Sequence, residues 1–516
     1  MSLAVALNDT LNRNIRSRCE ERASEGFMDS LSKADSTLWG ETAQPEASIR
    51  LGWTAHPDRW SGLAAEITEL HQELSSRGIN RVVLCGMGGS SLGPEVIAAT
   101  HGLPLTIVDS THPDEVALSV NQDLSKTVVV VSSKSGGTVE TDSQKRAFES
   151  ALRAQGLEPT QHIVVVSDPG SSLSVSSLES GYRVFDGDPT IGGRFSALSP
   201  FGLVPAGLAG LDLAQFLQDA SEGYAQCITS GPDNPALMLG IAIAQNNPQV
   251  NKVLYRSDPD APGFGDWVEQ LVAESTGKDG LGILPVVESS LDHIEDGLSI
   301  GPSASNSDIE VSGSIAHQMV LWEFATAVAG AELGVNPFDQ PNVESAKVAA
   351  RELLSSTSHE TRNEESLEGV SVFCAGRAST PESLSGIPVQ LRDLAGPHGY
   401  IALCVFGPRE HTHLWRECAD ALEHKTGRPV TVGFGPRFLH STGQLHKGGA
   451  PEGVFLQIIQ TPLVELDIPG RDFDFWQLLL AQAHGDADVL ARSGQPVLSL
   501  TGDASGVTRV REALQN

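Results

Sequence analysis

Residues 81–97 read RVVLCGMGGSSLGPEVI. Val82 to Cys85 form an apolar run of the kind that makes a buried strand. Gly86, Gly88 and Gly89 follow, then Ser90 and Ser91, and a helical pattern begins at Pro94. Strand, glycine-rich turn and helix together make an anion cradle. Glycine lets backbone N–H groups come close to a ligand, and a helix N-terminus favours negative charge. The same glycines also suit a plain tight turn, and their spacing is not the G-x-G-x-x-G of a dinucleotide site.

The next unit gives this stretch its weight. Thr127 to Val131 is a second β-branched run. It leads into Ser132-Ser133-Lys134-Ser135-Gly136-Gly137-Thr138 and then a helical segment from Glu140 to Arg153. Several hydroxyls, one ammonium and two glycines at one strand end suit a phosphate monoester. A helix cap would need a single hydroxyl. The G-x-x-x-x-G-K-[ST] of a nucleotide loop is absent. In a parallel sheet the strand C-termini share one edge, so both loops are expected to face one crevice.

Further strands are predicted at Leu105–Val108, His162–Val166 and Tyr182–Phe185, with helices between them. The predicted fold class is α/β. Two doubly wound parallel-sheet domains are expected, plus a third, C-terminal α/β domain. The boundaries are an N-terminal helical arm at 1–55, a first domain at 56–235, a second at 236–354, a polar linker at 355–368 and the third domain at 369–516. Trp39 and Trp53 are expected to anchor the arm to a core. The acidic, Ser-rich stretch 287–311 reads as a loop. Within the first domain, Gly192-Gly193 permits close backbone approach and makes the adjacent Arg194 a candidate positioned charge.

The chain has 516 residues with 65 acidic against 34 basic ones, a net charge of −31. This excludes a nucleic-acid partner, because nothing supplies the basic footprint. An anionic substrate must be drawn by local cations rather than by the overall field. Cys19, Cys85, Cys227, Cys374, Cys404 and Cys418 are scattered without a C-x-x-C pair, which predicts a reduced, cytoplasmic protein. No segment is apolar for long enough to span a membrane, and the N-terminus carries no long apolar signal region. His411 and His413 form an H-T-H pair with no evident acidic or cysteine co-ligand, so no metal is assigned.

Five stretches occur in order over about residues 81–347: GMGGSSLGP, SSKSGGTVET, IGGRFSALS, AESTGK and NPFDQPNVESAK. Together they resemble the glucose-6-phosphate isomerase family, built from sugar-isomerase (SIS) domains. The chain looks most like the isomerase half of proteins that fuse transaldolase to that enzyme. The resemblance implies an aldose–ketose isomerase acting on glucose 6-phosphate and fructose 6-phosphate, with no cofactor and no metal. It implies sugar contacts at Gly89 and Ser90 and a phosphate loop of Ser133, Lys134, Ser135 and Thr138. It makes Arg194 the cation for the charged intermediate, Gln270 a substrate contact and Glu274 the catalytic base. Lys347 is linked to ring opening.

The family's ring-opening histidine normally lies between AESTGK and FDQ. Here that interval holds only His293 and His317. The third domain carries His440 and His446 in HSTGQLHKGG, and His446 resembles the catalytic histidine before a glycine pair in shorter isomerases. The expectation is therefore His446, closing over the sugar from the same chain, with His440, His317 and His293 as the other candidates. Monomer and homodimer both remain open. Two alternatives stand beside the enzyme. One is a non-catalytic SIS module that senses a sugar phosphate, and the other an isomerase that also takes mannose 6-phosphate.

Overall fold

A computed structural model describes residues 3–355, 362 and 364–516, without the side chains of 343–347 and 355. Among the described residues there are three sheets. The first is all parallel, in the order Leu105–Val108, Arg81–Cys85, Thr127–Ser132, Ile163–Ser167, Arg183–Asp186. Sequence order therefore reverses between the strands starting at Arg81 and Thr127. Their C-terminal loops diverge there and leave a crevice, the usual place for a ligand in an open α/β sheet.

The second sheet is built on Lys252–Tyr255, with Leu284–Val287 on one side and Gly297–Pro302 then Ile309–Ser312 on the other. Its last strand is Ala4–Leu7, antiparallel to Ile309–Ser312. Two expectations are corrected here. The arm contributes a strand as well as helices, and the stretch 287–311 holds strands rather than loop alone. Ala4–Leu7 and Ile309–Ser312 are only 4 residues each, so their pairing across about 300 residues is not visible in local periodicity. The rest of the arm behaves as expected. Trp39 and Trp53 are buried, Trp39 Nε1 donates to Ala327 O at 2.9 Å, and Trp53 stacks on Phe195 with ring centroids 4.9 Å apart.

The third sheet has six strands, in the order Glu365–Leu367, Val370–Ala375, Val497–Gly502, Gly453–Gln460, Tyr400–Phe406, Val430–Phe434. The first two run antiparallel to their neighbours and the rest are parallel. Part of the predicted linker, 356–361 and 363, lies outside the described residues, while Glu365–Leu367 is an edge strand.

One face of this sheet is covered by the helices Ile387–Ala395, Thr412–Thr426 and Ala504–Gln515. The other forms one core with Leu254, Ala273, Leu284 and Val286 of the second sheet region. Ile468, Phe475 and Leu478 reach the first unit, packing with Phe148 and Leu152. Each such side chain contributes about 1.5–3 kcal/mol on burial. The C-terminal region is thus a structural part of the molecule and not a detachable appendage. No helix among the described residues is long and apolar enough to cross a membrane.

Candidate active site

A cleft of about 560 Å³ opens at the reversal point of the first sheet. Its walls include Gly89, Ser90, Ser133, Lys134, Ser135, Thr138, Arg194, Gln270 and Glu274, all singled out in the sequence. His440 from the third sheet region joins them.

The first loop is tighter than a ligand cradle alone requires. Gly88 has φ +57°, and a Cβ there would lie 2.6 Å from His440 O. At Gly89 a Cβ would lie 2.0 Å from Gly193 O. The glycines therefore let three chain segments converge: this loop, the Gly192–Gly193 turn and the His440 turn. The helix Gly89–Thr100 starts at the cleft wall.

The hydroxyl loop follows the strand Thr127–Ser132 and precedes the helix Val139–Ala154. Ser133 Oγ donates to Thr138 Oγ1 at 3.2 Å, and Gly137 N donates to Ser135 Oγ at 3.3 Å. Lys134 differs from the sequence reading. Its ammonium is tied down, donating to Asp168 Oδ2 at 2.6 Å and to Asp188 O at 2.9 Å. Burial lowers its pKa against the opposing pull of Asp168. A ligand anion would meet this loop through hydroxyls, backbone N–H groups and the N-terminus of the following helix, with Lys134 acting at one remove. Arg50, from the arm, also lines the cleft. It went unnoticed in the sequence because nothing local marks it.

The helix Phe264–Thr276 presents Gln270 and Glu274 to the same cleft, one turn apart. Gln270 Nε2 donates to Glu274 Oε2 at 3.2 Å, and Arg194 Nη1 lies 2.9 Å from Glu274 Oε1. Arg194 is held on its other edges by Ser275 Oγ (2.9 Å), Gln340 Oε1 (3.1 Å), Pro337 O (2.7 Å) and Asp339 O (2.8 Å). A guanidinium gripped on so many sides keeps one orientation. Lys278 secures the same corner by donating to Ser275 O at 3.0 Å and to Asn336 O, and it pairs with Asp339 Oδ1 at 3.1 Å. Burial, and then the neighbouring Arg194 charge, bring its pKa down to about 7.

The histidine expectation is corrected. His446 does not line the cleft. It lies in the helix Gly443–Gly448, buried among Phe455, Tyr400 and Phe438 with ring centroids 5.0, 6.0 and 6.3 Å away. Burial pushes its pKa down to about 3. A ring in that apolar box stays neutral and meets no substrate. His317 is also buried, its Nδ1 2.6 Å from Ser314 Oγ, and His293 is exposed; neither lines the cleft.

His440, six residues before His446, does reach the cleft. It ends the turn Arg437–His440, and its Nε2 lies 2.9 Å from Glu140 Oε1. Glu140 Oε1 also accepts from Gln482 Nε2 at 2.6 Å, and Gln482 Oε1 accepts from Thr111 Oγ1 at 2.8 Å. Glu140 sits within the SSKSGGTVET stretch, where the local pattern marks only the start of a helix. Its partner comes from 300 residues away. Lys347 falls in the helix Pro341–Ser355, and its side chain lies outside the described residues.

The family profile "Phosphoglucose isomerase" matches residues 67–279. The chain is 24% identical to a probable glucose-6-phosphate isomerase of Methanococcus maripaludis over 56% of its own length and 82% of the relative's. It is 31% identical to a glucose-6-phosphate isomerase of Rippkaea orientalis over 42% of its own length, and that match spans only 44% of the relative. A crystal structure of a glucose-6-phosphate isomerase from Chlamydia trachomatis shares the fold, with TM-score 0.55 and 21% identity over 69% of this chain and 89% of that one.

Proposed function

We propose that the chain is a member of the phosphoglucose isomerase family, whose profile matches residues 67–279, and that it interconverts glucose 6-phosphate and fructose 6-phosphate through the cleft. The observation that carries this reading is the meeting of two groups in one cavity. A carboxylate, Glu274, sits against a fixed guanidinium, and His440, which also lines the cavity, is paired with Glu140 beside it. Aldose–ketose isomerisation needs both a group that opens the pyranose and a base that moves a carbon-bound proton.

The roles follow from position and chemistry. Ser133, Ser135 and Thr138, with the start of the helix Val139–Ala154, hold the 6-phosphate. Gly89, Ser90 and Gln270 contact the sugar. With Glu140 ionised, neutral His440 carries its proton on Nε2, so Nδ1 takes the C1 hydroxyl proton and passes it to the ring oxygen as the C1–O5 bond breaks, leaving the C1 aldehyde and the C5 hydroxyl. Glu274 then takes the C2 proton, forming a cis-enediolate, and returns it to C1. The Arg194 charge stabilises the developing oxyanion. Lys347 keeps the ring-opening link that the family resemblance gives it. Because His440 comes from the same chain, a monomer would hold a complete site. All six cysteines are unpaired, which supports a reducing, cytoplasmic setting.

Two measurements test this reading. A coupled assay with glucose, mannose and glucosamine 6-phosphates should give turnover with the first. Turnover with none of the three would return the protein to the class of sugar-phosphate sensors, and turnover with mannose 6-phosphate as well would make it a dual-specificity isomerase. T138A should raise KM about ten- to a hundredfold and leave kcat within a few-fold, because a hydrogen bond to a charged group is worth about 1.5–3 kcal/mol. Free glucose competing as well as glucose 6-phosphate would remove the phosphate loop from the proposal.

A further inference from the structure

We propose that Arg437 is a positioning residue that sets His440 in the cleft, latching the turn that carries it onto carboxylates of the first unit. The proposal rests on His440 as the ring-opening group.

Arg437 and His440 are the two ends of one short turn, Arg437–His440. Arg437 does not line the cleft. Its Nη1 lies 2.8 Å from Glu95 Oε2 and 3.3 Å from Asp109 Oδ2. Glu95 belongs to the helix that starts at Gly89, and Asp109 follows the strand Leu105–Val108. Arg409 grips the same two carboxylates from the other side, at 2.6 Å to Glu95 Oε1 and 3.0 Å to Asp109 Oδ1. Its backbone N–H donates to Glu115 Oε2 at 3.3 Å. Two arginines of the third sheet region thus alternate with two carboxylates of the first. The Arg437 side chain is 11% exposed and that of Asp109 fully buried. Charges removed from water in this way hold a narrow geometry, since any slip leaves one of them unpaired.

The other end of the turn is fixed separately. His440 O accepts from Gln270 Nε2 at 3.0 Å, on the helix that carries Glu274. The backbone of His440 is also pressed against Gly88, where a Cβ would come within 2.6 Å of His440 O. With Arg437 anchored to the first unit and the His440 carbonyl anchored to Gln270, the imidazole is set toward Glu140. Without the first anchor the turn can pivot about the second. A displacement of about 1 Å at a catalytic group can cost about a hundredfold in rate.

The test compares R437M with the parent enzyme on two substrates. One is glucose 6-phosphate, which must be opened. The other is its 4,5-dideoxy analogue, which cannot close a five- or six-membered ring and so bypasses ring opening. R437M should lower kcat on glucose 6-phosphate about tenfold or more with KM within twofold, leave the acyclic substrate within twofold, and be partly rescued in R437K. Equal losses on both substrates, or no loss on either, would overturn the latch. If R437M does not fold, E95Q removes the facing charge while keeping its shape and is judged by the same two substrates. H440A serves as the control. If H440A shows the split and R437M does not, only the latch fails; if H440A shows no split, the ring-opening assignment itself fails.

Discussion

E274Q is expected to keep the fold and substrate affinity while losing about 10²–10⁴-fold in kcat. A positioned general base contributes about that much, and an amide cannot take the C2 proton. The substitution preserves shape. The amide oxygen can still accept from Arg194 Nη1, and Arg194 keeps its contacts to Ser275, Gln340, Pro337 and Asp339. The lost charge matters, however, because removing one partner of a buried ion pair costs about 3–5 kcal/mol. Thermal melting should therefore accompany the kinetics. The decisive readout is kcat against KM, together with calorimetric binding of a phosphate-bearing inhibitor. A folded E274Q with near-normal turnover would mean that another group moves the proton.

H440A is the second large effect. It should lower turnover of cyclic glucose 6-phosphate by about a hundredfold, the lower end of what a positioned acid–base group provides, and spare the acyclic analogue. H446A is its natural partner. Removing that ring leaves a hole between Phe455, Phe438 and Tyr400. It should lower the melting temperature while kcat on the cyclic substrate stays within a few-fold, because a buried neutral ring outside the cleft takes no part in the chemistry. If H446A instead reproduced the kinetic split and H440A did not, the two assignments would have to be exchanged.

The contrast between these two histidines marks where reading the sequence stops. The hydroxyl loop Ser132–Thr138 and the turn at Gly86–Gly89 were legible because each is a local device. A glycine turn and a hydroxyl run after a β-branched strand are specified by adjacent residues and backbone geometry, whereas Gln270 and Glu274 were named only by the family resemblance. Parallel strands then bring their ends to one edge, so the crevice was predictable as well. Arg194 was legible as a positioned charge beside two glycines, although its grip on Glu274 was not.

The rest depended on contacts between segments far apart in the chain. Which of His440 and His446 faces the cleft is decided by how the third sheet packs on the other two. The turn Arg437–His440 is aimed at Glu140, while the next helix turns His446 into the aromatic interior. Lys134 looked like a ligand for an anion until Asp168, on the neighbouring strand end, claimed its ammonium. The strand Ala4–Leu7 exists because Ile309–Ser312 offers it an edge. Sequence by itself determined the α/β class and the two loops, and it named Glu274 and Arg194 as candidates. Tertiary structure alone decided which cations are already paired and which histidine enters the site, because a side chain's direction and its electrostatic partner are properties of the packed surface around it.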